Sequence, residues 1–188
     1  MGVPSCASSE IAPGELFVNE RAPEFTDLAR RYGVRVWRSL RYLGVRDADV
    51  ADASQEVLLI VHRRLPEFRG DSKIETWLYG ICLGVARNLR RKQLRAAGHV
   101  SEPPNEVFEP NQETELDQKR MRAVLARALD QISPEQREVF VLHEIEELGM
   151  RAVAQAVGCP LFTAYSRLRL ARKGLRQLLL GYEGTGAR

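Results

Sequence analysis

The stretch GMRAVAQAVGCPLFTAYSRLRLARKGL, residues 149–175, reads as a short helix, a tight turn and a longer helix. Val153, Ala154 and Val157 share one face of the first helix. Ala164, Leu168, Ala171 and Leu175 recur at the three- and four-residue steps of an apolar stripe on the second. Gly158-Cys159-Pro160 separates them, and Gly158 suits the left-handed conformation that follows a helix end, while Ala154 leaves room for two helices to cross closely. This is the layout of a helix-turn-helix. Thr163, Ser166, Arg167, Arg169, Arg172 and Lys173 then fall on exposed faces, where hydroxyls and guanidinium groups meet groove edges and phosphates. A plain helical hairpin with a solvated basic face is the blander reading. The second helix carries no acids from Leu161 to Arg176, whereas a merely soluble face mixes both signs.

Outward from this motif, the charge is unevenly spread along the 188 residues, although the formal net charge is only +3. From His62 to Arg95 stand Arg63, Arg64, Arg69, Lys73, Arg87, Arg90, Arg91, Lys92 and Arg95, against the acids Glu67, Asp71 and Glu75. From His99 to Gln118 the balance reverses, with Glu102, Glu106, Glu109, Glu113, Glu115 and Asp117 and no Lys or Arg. Two basic surfaces separated by an acidic segment point to a polyanion partner through placement of charge rather than its sum. Cys6, Cys82 and Cys159 are too scattered for a disulfide framework, and with His62, His99 and His143 they show no metal-ligand spacing. No metal and no cofactor are expected. Cys82 and Cys159 read as small hydrophobes beside apolar helical positions. No apolar run reaches the roughly 18 residues of a membrane span, and MGVPSCASSEIAPGE lacks the basic start and apolar core of a signal peptide. A cytoplasmic protein without membrane insertion is expected.

The periodicity predicts an all-α chain, since no segment alternates as a half-buried strand would. Residues 1–22 read as a flexible lead-in. Phe25, Leu28, Ala29, Tyr32, Val36, Leu40 and Leu43 form the stripe of a first helix that stops at Gly44. A second, from about Asp49 to Leu65, buries Val50, Ala53, Val57, Val61 and Leu65, and carries Asp52, Gln55, Glu56 and Leu59 on another face. A third follows the loop Arg69–Ser72 and buries Ile74, Trp77, Leu78, Ile81, Val85 and Leu89. Lys73, Thr76, Gly80, Leu83, Arg87 and Arg91 are placed on its opposite side. Residues 96–115 read as an acidic linker, which gives two small domains, 23–95 and 116–180, and a flexible tail over 181–188. In the second domain Leu116 to Gln131 is one helical pattern, and Ser133-Pro134-Glu135-Gln136 is a capping box for the next.

VADASQEVLLIVHRRLPEFRG with KIETWLYGI resembles region 2 of bacterial sigma factors, and LDQISPEQREVFVLHEIEELGMRAVAQAVGCPLFTAYSRLRLARKGL resembles region 4. Their direct succession resembles the minimal extracytoplasmic-function (ECF) class, over about residues 22 to 180. The resemblance implies a region 2 helical bundle and a region 4 helix-turn-helix that bind core RNA polymerase, recognise the minus-35 and minus-10 promoter elements and promote DNA melting. Asp52, Gln55, Glu56 and Leu59 match the surface for the clamp helices of the largest polymerase subunit, and region 4 implies a contact with the polymerase flap. Arg69, Gly70, Asp71, Ser72 and Lys73 match the loop that captures a flipped minus-10 base. Arg87, Asn88, Arg90, Arg91 and Lys92 are candidates for the backbone of the opened DNA. Thr163, Tyr165, Ser166, Arg167, Arg169, Arg172 and Lys173 are the minus-35 candidates. Promoter DNA, core polymerase and an anti-sigma factor are the implied partners, and the implied protein is not an enzyme.

The chain departs from the family pattern at Leu83-Gly84, where relatives usually carry a polar pair, and at Gly80, often basic. Asn88, one turn later, fits a polar position, and the residue that wedges the strands stays open. Trp77 reads as core or stacking platform, and Tyr79 is undecided. Tyr165 and Leu170 replace residues frequent in the recognition helix. Two rival functions are weighed. A free-standing helix-turn-helix repressor wants an unused apolar stripe for dimerisation. A metal-dependent hydrolase on Asp71 and Glu75 lacks further ligands, and those acids suit a helix start.

Overall fold

The computed structural model describes residues 24–96 and 113–183, with seven α-helices and no strand among them. The expected flexible lead-in over residues 1–22, the part of the expected tail beyond Glu183, and residues 97–112 of the expected linker lie outside the described residues. The helices are α1 (Phe25–Tyr42), α2 (Asp47–Arg64), α3 (Ile74–Ala96), α4 (Glu113–Asp130), α5 (Pro134–Phe140), α6 (Met150–Val157) and α7 (Leu161–Glu183).

In the first half, α1 packs along α2, and both pack on α3. Leu28, Tyr32, Val36 and Leu40 of α1 and Val50, Ala53, Val57 and Val61 of α2 are buried, as their spacing requires. Asp47 and Asp49 in the first turn of α2, and His62, Arg63 and Arg64 in its last, complement the helix dipole. A single 3-10 turn, Leu65–Glu67, closes α2 where Pro66 removes a backbone donor.

In the second half, Ser133 caps α5 by accepting a 3.3 Å hydrogen bond from the Gln136 amide, with Pro134 at the first helical position. The helix widens into a π turn over Val141–Ile145. Glu147 follows with a positive φ of 58°, and the chain then enters α6. Gly158 ends α6 at φ 74°, and the amides of Gly158 and Cys159 each reach the Ala154 carbonyl at 3.0 Å. Helices α4, α5 and α6 all pack on α7, whose Ala164, Leu168, Ala171 and Leu175 are buried.

The sequence places two domains on a linker, and the helices do form two bundles. They also touch. Helix α6 packs on α3, and α4 meets α1. Leu83, expected on the side of α3 opposite its buried stripe, is 1% exposed, which corrects that expectation: α3 has α1, α2 and α6 packed on it, so more than one of its faces is covered. Tyr79, left undecided by its position, is fully buried. Helix boundaries differ by a turn or less at most ends. The larger difference is α7, which runs to Glu183; α4 begins at Glu113, three residues inside the expected linker.

Candidate nucleic-acid and polymerase interfaces

On α2 the burial of Val50, Ala53, Val57 and Val61 turns Asp52, Gln55, Glu56 and Leu59 outward together. All four are exposed, and Leu59 presents 56% of its surface to solvent beside two carboxylates. An apolar spot rimmed by polar groups is the composition of a docking patch.

The loop between α2 and α3 is held at its base. Phe68 packs on Trp77 with ring centroids 5.3 Å apart and a 50° tilt, and the Tyr32 hydroxyl donates a 2.6 Å hydrogen bond to Glu75 Oε1. That bond holds the Glu75 carboxyl below its ordinary range, and burial, with Glu75 next, raises the Tyr32 phenol. Glu75 is thereby used to anchor α3. Between these fixed points Gly70 takes a φ of 76°, and Arg69, Gly70, Asp71 and Lys73 are exposed while Ser72 is half-buried.

Along α3, Asn88 and Arg91 are exposed and hydrogen-bond to one another through Asn88 Oδ1, and Lys92 is exposed beside them. Arg87 and Arg90 are placed differently. Both guanidinium groups turn to Glu138 of α5: Arg87 Nε donates at 3.1 Å and its NH2 at 2.5 Å, and Arg90 NH2 donates to Oε1. Glu138 raises the Arg87 pKa accordingly. Ser72, Thr76, Trp77, Gly80, Gly84 and Asn88 line a cleft of about 410 Å³ that α6 faces with Gln155 and Ala156. A methyl group at Gly80 or Gly84 would meet nothing within 4 Å, so the positions that depart from the family pattern leave open space in this cleft. Trp77 is half-buried, with one side in the core and one on the cleft. Arg64 also lines it; the sequence placed Thr76 on this side of α3 and Arg64 in a basic run, but named neither as a site residue, and Arg64 stands one turn beyond Ile60 on the same flank of α2.

On α7 the buried stripe leaves Tyr165, Arg169, Arg172 and Lys173 exposed, with Thr163, Ser166 and Arg167 half-buried. Arg172 Nε donates to Glu144 Oε1 at 2.8 Å, which steadies its guanidinium near the surface. Phe162, 85% exposed at the start of the recognition helix, escaped the sequence reading; the register of Ala164 and Leu168 already pointed it outward. A second groove, apolar, runs between Phe140 of α5 and Leu175, Leu179 and Leu180 of α7, rimmed by Arg172 and Arg176.

Among the described residues no group of three or more His, Cys, Asp or Glu is arranged to hold a metal ion, and no helix is long and apolar enough to cross a membrane. Cys82 is buried, with its thiol pKa raised by burial; Cys159 is partly buried against the core.

Comparison with known proteins bears on these surfaces. The family model for sigma-70 region 2 matches residues 28–96, and that for sigma-70 region 4 matches residues 122–175. The chain is 30% identical over 161 residues to the ECF RNA polymerase sigma-E factor of Escherichia coli (strain K12), covering 80% of this chain and 84% of that protein. It is likewise 30% identical over 146 residues to the RNA polymerase sigma-H factor of Pseudomonas aeruginosa, covering 72% and 76%. Among solved structures it is similar to CnrH in complex with the cytosolic domain of CnrY, at TM-score 0.62 and 25% identity, covering 84% of this chain and 88% of that one. It shares its fold with the sigma factor RpoE of Bartonella quintana, solved with the anti-sigma factor NepR, at TM-score 0.69 and 22% identity over 82% and 96% of the two chains.

Proposed function

The chain belongs to the ECF RNA polymerase sigma factors, transcription initiation factors rather than enzymes, and from that premise we propose how its residues divide the work. Asp52, Gln55, Glu56 and Leu59 dock on the clamp helices of the largest polymerase subunit. The apolar groove between Phe140 and Leu175, Leu179 and Leu180 takes the flap. The α7 helix enters the major groove at the minus-35 element, where the exposed Tyr165, Arg169, Arg172 and Lys173 meet the DNA and the half-buried Thr163, Ser166 and Arg167 flank them.

At the minus-10 element, opening the duplex costs a few kcal/mol for each base unstacked, so the protein must hold what it opens. The loop Arg69–Lys73 supplies polar atoms for an extruded base. Arg87, Asn88, Arg90, Arg91 and Lys92 hold the separated backbone. Neither surface alone gives much specific affinity, and the polymerase joins them by anchoring both halves at once. The protein works in the cytoplasm, where polymerase and promoter are. An anti-sigma factor is proposed as a further partner on the strength of the family alone.

The observation that carries this reading is the set of four exposed residues on α2, set outward by a wholly buried opposite face. Replacing Asp52 and Gln55 together with Ala leaves the helix packing untouched and is expected to weaken binding to purified core polymerase about tenfold or more, roughly 1.4 kcal/mol per tenfold. Undiminished co-purification with the core enzyme refutes the assignment of this face.

A further inference from the structure

We propose that Phe162, in the first turn of α7, reads the 5-methyl group of a thymine in the minus-35 element, an apolar contact in line with the polar and cationic ones. The inference deepens the minus-35 role proposed above for α7 and rests on it.

Phe162 is 85% exposed, and it is not an isolated case. Hydrophobic residues scattered singly over a surface need no explanation, but four of the nine large exposed ones among the described residues, Leu161, Phe162, Tyr165 and Leu170, fall within ten consecutive positions of α7. An exposed ring forgoes the free energy that burial in the core would give it.

The direction of the ring is set by the turn before it. The Ala164 amide donates to the Pro160 carbonyl at 3.0 Å, so α7 is regular from its first turn, directly after the left-handed Gly158. With Ala164, Leu168, Ala171 and Leu175 buried, Phe162, Ser166, Arg169 and Lys173 follow one another at steps of four, three and four along the opposite face. The ring thus shares a strip with three residues proposed for DNA. It stands at the amino-terminal end, which a recognition helix presents to base edges.

The chemistry of the strip selects its occupant. The thymine methyl is the apolar group that the major groove offers, and phenylalanine is one of the side chains that contact it. A protein-binding patch is depleted of lysine and acid alike at its centre, whereas this strip continues into Arg169 and Lys173 on a helix without acids from Leu161 to Arg176. Tyr165, 55% exposed and one turn along from Phe162, widens the apolar surface and keeps water from the methyl contact. Phe162 lies seven positions before Arg169, which is about 10 Å along the helix axis, or up to about three base-pair steps. The thymine is therefore placed within about three base pairs of the DNA group that Arg169 meets.

The test uses holoenzyme assembled from bacterial core polymerase and the full chain, either wild type or Phe162→Ala. The probe is a fluorescein-labelled duplex carrying the minus-35 element of a promoter that the wild-type holoenzyme selects from fragmented genomic DNA. Each thymine of that element is replaced in turn by deoxyuridine, which removes the methyl group and keeps the base pair. At one position the replacement is expected to weaken binding of the wild type about fourfold, the worth of one buried methyl group. The Phe162→Ala holoenzyme is expected to bind the thymine and uracil duplexes equally, with unchanged circular dichroism and unchanged co-purification with core polymerase. An element without thymine, a wild type indifferent to every replacement, or a thymine-to-uracil ratio that survives Phe162→Ala overturns the proposal. Weaker co-purification with an unaltered ratio also overturns it, and marks Phe162 as a protein contact. A holoenzyme that selects no minus-35 element sinks the promoter reading and this proposal together, whereas a selected element read without methyl dependence sinks the proposal alone.

Discussion

The hydroxyl of Tyr32 in α1 and the carboxylate of Glu75 in the first turn of α3 are joined by a 2.6 Å hydrogen bond that spans 43 positions of sequence. It ties the start of α3, and with it the loop Arg69–Lys73, to the buried stripe of α1. The role proposed for this loop, offering polar atoms to an extruded base, requires ends that do not move, and this bond and the Phe68–Trp77 contact hold one on each side of it.

Tyr32→Phe removes the hydroxyl and leaves the ring in its buried place. The Glu75 pKa, lowered chiefly by that hydrogen bond, returns toward its ordinary value. A depressed carboxyl contributes stability above its unfolded pKa and loses it as the pH falls through its folded value. The variant is therefore expected to be less stable by about 1 kcal/mol at neutral pH, the modest figure reflecting a half-exposed Glu75, and to converge on wild type in acid. Urea midpoints measured from pH 7 down through the carboxylate range check this; a difference that does not shrink in acid contradicts the assignment.

Gly158→Ala forces a side chain onto a backbone at φ 74°. Nothing lies within 4 Å of the added methyl, so the cost is backbone strain alone, about 1 to 2 kcal/mol. Denaturant unfolding is expected to show that loss. An unchanged midpoint means the turn between α6 and α7 adopts another conformation in solution.

Arg169→Ala removes an exposed guanidinium from the recognition helix. If it contacts a base edge, the variant holoenzyme loses about 1 to 3 kcal/mol of discrimination among minus-35 variants while weak binding to unrelated DNA persists. Equal relative affinities across the minus-35 variants exclude base reading by this residue.

Much of the molecule is legible in the sequence because its helices are amphipathic over several turns. The stripes of α1, α2 and α7 identify their buried residues, and the Ser133 cap and the Gly158 turn are local signals that tertiary packing does not override. The faces of α3 are less legible. A single stripe predicts one buried side, yet α3 is covered on more than one flank, and Leu83 and Tyr79 are buried by neighbours that periodicity does not reveal. The same holds for Arg87 and Arg90: a run of basic residues looks like a free surface until Glu138, some fifty positions away, is brought to it. The π turn at Val141–Ile145 and the left-handed Glu147 likewise follow from no residue preference in the sequence.

The central claim is promoter-directed initiation, and transcription in vitro tests it most directly. Purified bacterial core polymerase is supplied with fragmented genomic DNA of the source organism, with and without this protein, and the transcript starts are sequenced. The account predicts new starts that appear only with the protein and share two upstream motifs, one near minus-35 and one near minus-10. Starts identical in both reactions, with the protein alone still retarding duplex DNA, would contradict it.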